Sequence, residues 1–324
     1  MPDPAPTSAG STGGVLALDI GGTKTSAALV RDGTAGEVLT VPTPAQEGPA
    51  EILAAALDLA VAAAGDAAPL AVGVASAGVV DTARGRITHA TDALRGWAGT
   101  DVAAAVSSRL GLPVAVLNDV HAHGLGEALH GAGRDASSML LLAVGTGIGG
   151  CQVIGGEVVT GARGAAGHLG HLPVPEAEGV PCPCGRSGHL EGLASGPGIL
   201  ALARRLGAAG SDGSPVADGR ALAALAVADP EGPAAGAYTI AGRATGRVLG
   251  GALNLLDTDL VVLTGGVSAA HGMSGDGEPW RRALEAGLAQ EAMDVVAATP
   301  VVPARSGQHA ALLGAAAHAS AHAL

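Results

Sequence analysis

Val15-Leu16-Ala17-Leu18-Asp19-Ile20-Gly21-Gly22-Thr23-Lys24-Thr25 is the stretch on which the reading of the fold turns. Its first four residues are apolar and read as a buried strand. The strand runs into a carboxylate, two glycines, a hydroxyl and a lysine before a second apolar run, 27–30. Glycine has no Cβ and tolerates unusual φ/ψ, so such a turn can bring bare backbone N–H groups against a phosphate. Asp19, at the strand end, suits a hydrated Mg²⁺, which keeps several waters and takes one or two protein carboxylates. A tight β-hairpin turn carrying a surface Asp is the plain alternative for this segment alone.

Working outward, strands and helices alternate. The segment 15–30 reads as a hairpin and 37–40 as a further strand, and 49–64 is an alanine-rich helix with Pro at its start. A short strand, 70–75, an amphipathic helix, 101–110, and a buried strand, 113–117, follow. Beyond the helix 122–129, an apolar strand, 138–144, meets Gly145-Thr146-Gly147-Ile148-Gly149-Gly150. Gly155-Gly156 between 152–154 and 157–159 signals a hairpin. After a Cys/His/Gly/Pro loop at 161–192 the chain reads as helical, broken by one strand, 260–263, before Thr264-Gly265-Gly266. Three apolar strands ending in Gly-rich turns, at 19–24, 145–150 and 264–266, look like one nucleotide held by two similar α/β domains.

The 324 residues suffice for two cores. They are 48 % apolar yet 1 % aromatic, with no Phe, so the cores must be built from Ala, Val and Leu. A net charge of −12 without a Lys/Arg cluster argues against a nucleic-acid partner. No apolar run approaches the ~18 residues of a membrane span. Residues 1–13 read as a disordered tail rather than a signal peptide. Three cysteines suggest no disulfide framework and fit a cytoplasmic protein.

Two constellations carry chemistry. Asn118-Asp119 follows a buried strand, where a rigid backbone fixes both side chains. Phosphoryl transfer needs positioning, charge neutralisation and a group to take the acceptor proton, a role Asp119 suits. Asn118 offers an amide donor and acceptor to a ligand's hydroxyls, while the plain alternative for the pair is a helix cap. His171, Cys182, Cys184 and His189 lie within 19 residues and offer a Cys₂His₂ donor set for a structural, tetrahedral Zn²⁺, the plain alternative being a degenerate loop that has lost its metal. Cys151 reads as a small buried hydrophobe.

In this order and spacing, Asp19-Ile20-Gly21-Gly22-Thr23-Lys24, Gly78-Val79-Val80-Asp81, Asn118-Asp119, Gly145–Gly150, the Cys/His segment 164–191 and Thr264-Gly265-Gly266 resemble the ROK group of sugar kinases within the actin/hexokinase ATPase superfamily. The resemblance covers roughly residues 15–318. It implies an α/β fold of two ribonuclease-H-like (actin-like ATPase) domains with ATP and a sugar in an interdomain cleft. The boundaries expected are 14–120 and 121–324, with a zinc loop at 167–191 and a last helix able to pack back on the first domain. Asp19, Gly21, Gly22, Thr23 and Lys24 would face the phosphates from one side and Gly145, Thr146 and Gly147 from the other, with Gly265 and Gly266 near the adenosine. Gly78, Asp92, Asn118, Asp119, His168, His171 and Glu191 would meet the sugar, and homodimers or homotetramers are expected.

The chain departs from the family pattern at instructive positions. Its usual Glu-x-Gly-His is His168-Leu169-Gly170-His171, the usual sugar-side Asn is Asp92, and the last zinc cysteine is His189. An acceptor-only carboxylate has become an imidazole, which alters the hydroxyl pattern that the site recognises. The expectation is ATP-dependent phosphorylation of the primary hydroxyl of a hexose or hexose-like sugar. Glucose, N-acetylmannosamine and N-acetylglucosamine are substrates in the family. The alternative keeps the reaction and changes the acceptor to a modified sugar or C7-cyclitol. A sugar-responsive repressor is disfavoured by the short segment before Val15, and a non-catalytic sensor by the presence together of Asp19, Lys24 and Asp119.

Overall fold

A computed structural model describes residues 13–210, 212–271 and 279–324; the expected tail lies, but for Gly13, outside them. The chain divides into two compact units, one of residues 1–122 with 311–324 and one of residues 123–310. The first unit therefore ends within a helix at Ala122, two residues past the expected 120, and it includes 311–324, the part of the chain holding the last helix, which was expected to be able to pack back on the first domain.

In the first unit, β1 (Val15–Ile20) is the central strand. It pairs antiparallel with β2 (Lys24–Arg31), while β3 (Thr34–Ala35) and β4 (Leu39–Pro42) both pair with β2. On its other edge β1 runs parallel to β5 (Ala71–Ser76), and β5 parallel to β8 (Val114–Asn118). A small ribbon, β6 (Val79–Asp81) with β7 (Arg86–His89), follows β5.

Strand alternation divides the first unit's core between the two faces of this sheet. Leu16, Leu18 and Ile20 join Ile52, Ala56 and Val106 of α1 (Pro49–Ala64) and α2 (Val102–Leu110), and the fully buried Trp97. Val15 and Ala17 join Leu312, Leu313 and Ala316 of the C-terminal helix Ala310–His322. Gly73 of β5 lies on this second face, and a Cβ there would strike the backbone carbonyl of Ala315. The absent side chain lets the helix rest on the strand.

α3 (Asp119–His130) starts in the first unit and enters the second at His123. The second sheet has the order β11 (Glu157–Val158), β10 (Ile148–Ile154), β9 (Ser138–Val144), β12 (Leu260–Thr264), β13 (Val301–Pro303). β9 is antiparallel to β10 and parallel to β12, which is parallel to β13. Both sheets thus have the same plan, a hairpin followed by two parallel additions. β13 corrects the expectation of a single late strand. Only three residues long and partly exposed, it lacks the apolar run that marks a strand in sequence.

The second core packs this sheet against α4 (Leu190–Ala194), α5 (Gly196–Arg205), α6 (Gly219–Ala228), α7 (Pro233–Leu256) and α9 (Pro279–Glu291), which follows the short α8 (Gly266–His271). It contains the buried Trp280, so each core holds one of the chain's two tryptophans. Among the described residues, no helix is long and apolar enough to cross a membrane.

Candidate active site

In the first unit, Ile20, Ser76 and Asn118 are register partners across β1, β5 and β8, so the C-terminal ends of three parallel strands lie side by side. Ligands of open α/β sheets bind at this edge. Asp19, Ala77-Gly78 and Asp119 are the residues that these ends present.

The glycine turn is a β-hairpin, in which Gly21 N–H donates to the Lys24 carbonyl over 3.1 Å. Thr43 braces it, its Oγ1 2.8 Å from the Gly21 carbonyl and its N–H on the Thr23 carbonyl at 3.0 Å. Neither Gly21 nor Gly22 has a positive φ, so the turn uses glycine for its bare surface and not for unusual dihedrals. A Cβ on Gly22 would lie 3.5 Å from the Ala93 Cβ. The segment bearing exposed Asp92 therefore adjoins the turn. Trp97 at its far end donates to Ser76 Oγ at 3.1 Å. Thr23 and Lys24 are exposed.

Asp119 opens α3, and its Oδ1 accepts from its neighbours Val120 N–H and Asn118 Nδ2, each at 2.9 Å. Asn118 Nδ2 also donates to the Gly78 carbonyl at 2.9 Å, and its Oδ1 caps the helix through His121 N–H at 3.0 Å. Both amide hydrogens are thereby committed. In this arrangement Asn118 orients Asp119. Gly78 has φ +101°, and a Cβ there would stand 2.7 Å from the His89 carbonyl, so glycine alone fits. Burial, reinforced by the charge of Asp119 and opposed by Lys24, pushes the Asp19 carboxyl up to about 7.

In the second unit, Gly145-Thr146-Gly147 is the β9–β10 hairpin turn, closed by Gly145 N–H on the Gly147 carbonyl at 2.9 Å. Its neighbour is the turn after β12. A Cβ on Gly145 would lie 3.6 Å from Gly266 N, and Gly265, at φ +95°, has no room for one against Val144. Two glycine-lined turns thus meet on adjacent parallel strands, a surface on which a nucleotide's backbone-facing edge can rest. Thr264 Oγ1 lies 3.2 Å from His123 Nε2.

Buried Glu191 accepts from Ile148 N–H at 2.7 Å, just past the 145–147 turn. It also faces His171, whose pKa burial pushes down while the Glu191 charge opposes the shift. His171, Cys182, Cys184 and His189 converge, with one donor atom from each lying within 4.8 Å of the others. Cys182 Sγ is 3.6 Å from His171 Nδ1 and Cys184 Sγ 3.2 Å from His189 Nδ1. Tetrahedral bonds of about 2.0–2.3 Å require this kind of spacing between donors, so the set fits Zn²⁺. His168 stacks on His171 at 5.9 Å, and its Nδ1 lies 3.0 Å from the Ala165 carbonyl. It lines a largely apolar cavity of about 660 Å³ together with Leu140, Leu172, Arg247 and Leu255, a cavity to which none of the glycine turns contributes. Cys151 is fully buried.

The sequence reading missed Thr43, Ser76 and His123. Only His123 left a trace, falling four residues after Asp119 in a helical segment.

A sequence profile described as the ROK family matches residues 15–322. The chain is 36 % identical over 196 residues to a glucokinase of Halalkalibacterium halodurans, covering 58 % of each protein. It is 37 % identical over 193 residues to an N-acetylmannosamine kinase of Shigella flexneri, covering 59 % of this chain and 64 % of that one. The chain thus spans about three fifths of the length of the curated relatives it matches. A Streptomyces griseus ROK family glucokinase, solved with glucose and AMPPNP, superposes with TM-score 0.77 at 29 % identity, over 94 % of this chain and 98 % of that one.

Proposed function

The chain belongs to the ROK family, and from that premise we propose that it is a kinase moving the terminal phosphoryl group of ATP to the primary hydroxyl of a hexose or N-acetylhexosamine. The observation that carries this reading is the carboxylate pair at the ends of β1 and β8, with Asp119 pinned at the start of α3. The acceptor oxygen bonds the terminal phosphorus as the bond from phosphorus to the ADP oxygen breaks, and the hydroxyl proton passes to Asp119. Asn118 and Val120 N–H keep that carboxylate aimed.

Asp19 would hold Mg²⁺, which when bound neutralises charge on the phosphates. The 21–24 and 145–147 turns would take the phosphates, and Gly265-Gly266 the nucleoside. The relatives' names supply glucose and N-acetylmannosamine as acceptors. The Cys/His cluster would hold a structural Zn²⁺ that keeps His171 and Glu191 in place.

A second acceptor reading, a modified sugar or C7-cyclitol, is favoured by two side chains. Asp92 puts an exposed carboxylate beside the 21–24 turn, and His168 carries an imidazole whose Nδ1 is committed to Ala165. An ADP-release screen over hexoses, amino sugars and cyclitols decides between them. In Asp119→Asn, kcat should fall by about 10²–10⁴ with folding intact. Unchanged turnover in that variant would remove Asp119 as the base, and no ADP release with any acceptor would overturn the kinase.

A further inference from the structure

α3 carries more chemistry than its first residue. Asp119, His123 and Glu127 follow one another at intervals of four residues, which sets them along one side of the helix. Glu127 is fully buried, and its carboxylate accepts from the N–H groups of Ala132, Arg305 and Ser306 at 2.7–3.0 Å. That rung anchors α3 to the loop after β13. His123 is the rung between, and its Nε2 meets the Thr264 hydroxyl at 3.2 Å. Thr264 ends β12 and is followed directly by Gly265-Gly266, whose position beside Gly145 is described above.

Burial pushes the His123 pKa down and the charge of Glu127 opposes the shift. A neutral imidazole keeps one N–H and one lone pair, so it can serve the Thr264 hydroxyl as donor or acceptor. A half-buried polar pair of this kind costs stability unless it is satisfied, and a hydrophobe could fill the same space. Within the second unit the pair ties α3 to the end of the strand that leads into the glycine turn.

We propose that His123 is a positioning residue, holding Thr264 and with it the Gly265-Gly266 turn against the part of α3 that lies in the second unit. This rests on the reading of that turn as nucleotide-binding and of Asp119 as the base. Loss of the imidazole then weakens nucleotide use and leaves acceptor use largely intact, because the contact is made on the β12 turn and not on the 76–78 or 92–97 segments.

The test compares wild type, His123→Ala, His123→Gln, Thr264→Val and the double variant His123→Ala/Thr264→Val in steady-state kinetics with ATP and an acceptor from the screen. Melting temperatures verify folding. KM for ATP should rise about tenfold in His123→Ala with KM for the acceptor within about twofold. Glutamine, whose amide reaches a similar point, should restore most of the loss. The double variant should be no worse than the worse single, as for two halves of one contact. An unchanged KM for ATP in His123→Ala, multiplicative effects in the double variant, or equal rises in both KM values would overturn the role of His123. A wild type that neither turns over nor binds Mg-AMPPNP calorimetrically would overturn the kinase reading and this proposal together. An active wild type with an indifferent His123→Ala overturns this proposal alone.

Discussion

Asp19 links the first unit's stability to pH. With its carboxyl raised to about 7 by burial and by Asp119, the folded chain holds a proton that the unfolded chain releases near pH 4. Stability from this group is therefore complete below about pH 4 and is lost as pH rises through about 7. Asp19→Asn should flatten that slope: between pH 5 and 8 without metal, wild type should lose stability relative to the variant. Parallel melting profiles would exclude the effect. The same substitution should raise the Mg²⁺ requirement of ATP turnover, since a bound cation favours the ionised carboxylate. Asp19 and Asp119 were legible as candidates because each stands at the end of an apolar strand, Asp19 just before two glycines. The hydrogen bond from Asn118 to Gly78 was not, because that carbonyl lies 40 residues earlier.

The Cys/His loop was legible as a candidate donor cluster because its side chains are local, 171 to 189, with Pro and Gly between them. Its fold has little regular structure to support it. Cys182 N–H donates to the Arg186 carbonyl at 2.7 Å, and isolated bridges join Pro173 to His189 and Pro181 to Ser187. The proposed Zn²⁺ would supply folding energy that these few bonds do not. Elemental analysis should find about one zinc per chain. Chelation, or Cys184→Ser, should lower the melting temperature and loosen the loop to proteolysis. Metal-free protein with an unchanged melt would refute the structural role. β13 and the brace from Thr43 escaped sequence reading for the opposite reason, since each acts through partners distant in the chain.

Across the molecule, two sheets of one plan carry matching turns, one at each hairpin and one after each second parallel strand. The chain leaves the first unit along α3 and returns to it at residue 311. That return depends on Gly73, where the helix backbone of Ala315 and Ala316 takes the space of a side chain. Gly73→Ala should destabilise the protein by about 1–3 kcal/mol and reduce hydrogen-exchange protection in 311–322. An unchanged denaturant midpoint would contradict that packing. The elements, the paired glycine turns and the metal ligands could be read from sequence, because periodicity, chain breakers and short-range donor spacing are local properties. Which turns adjoin, which donors are already paired, and which strand the last helix rests on depended on the tertiary structure. Those outcomes are set by backbone contacts between residues 40 to more than 200 positions apart, and such contacts leave no period in the sequence.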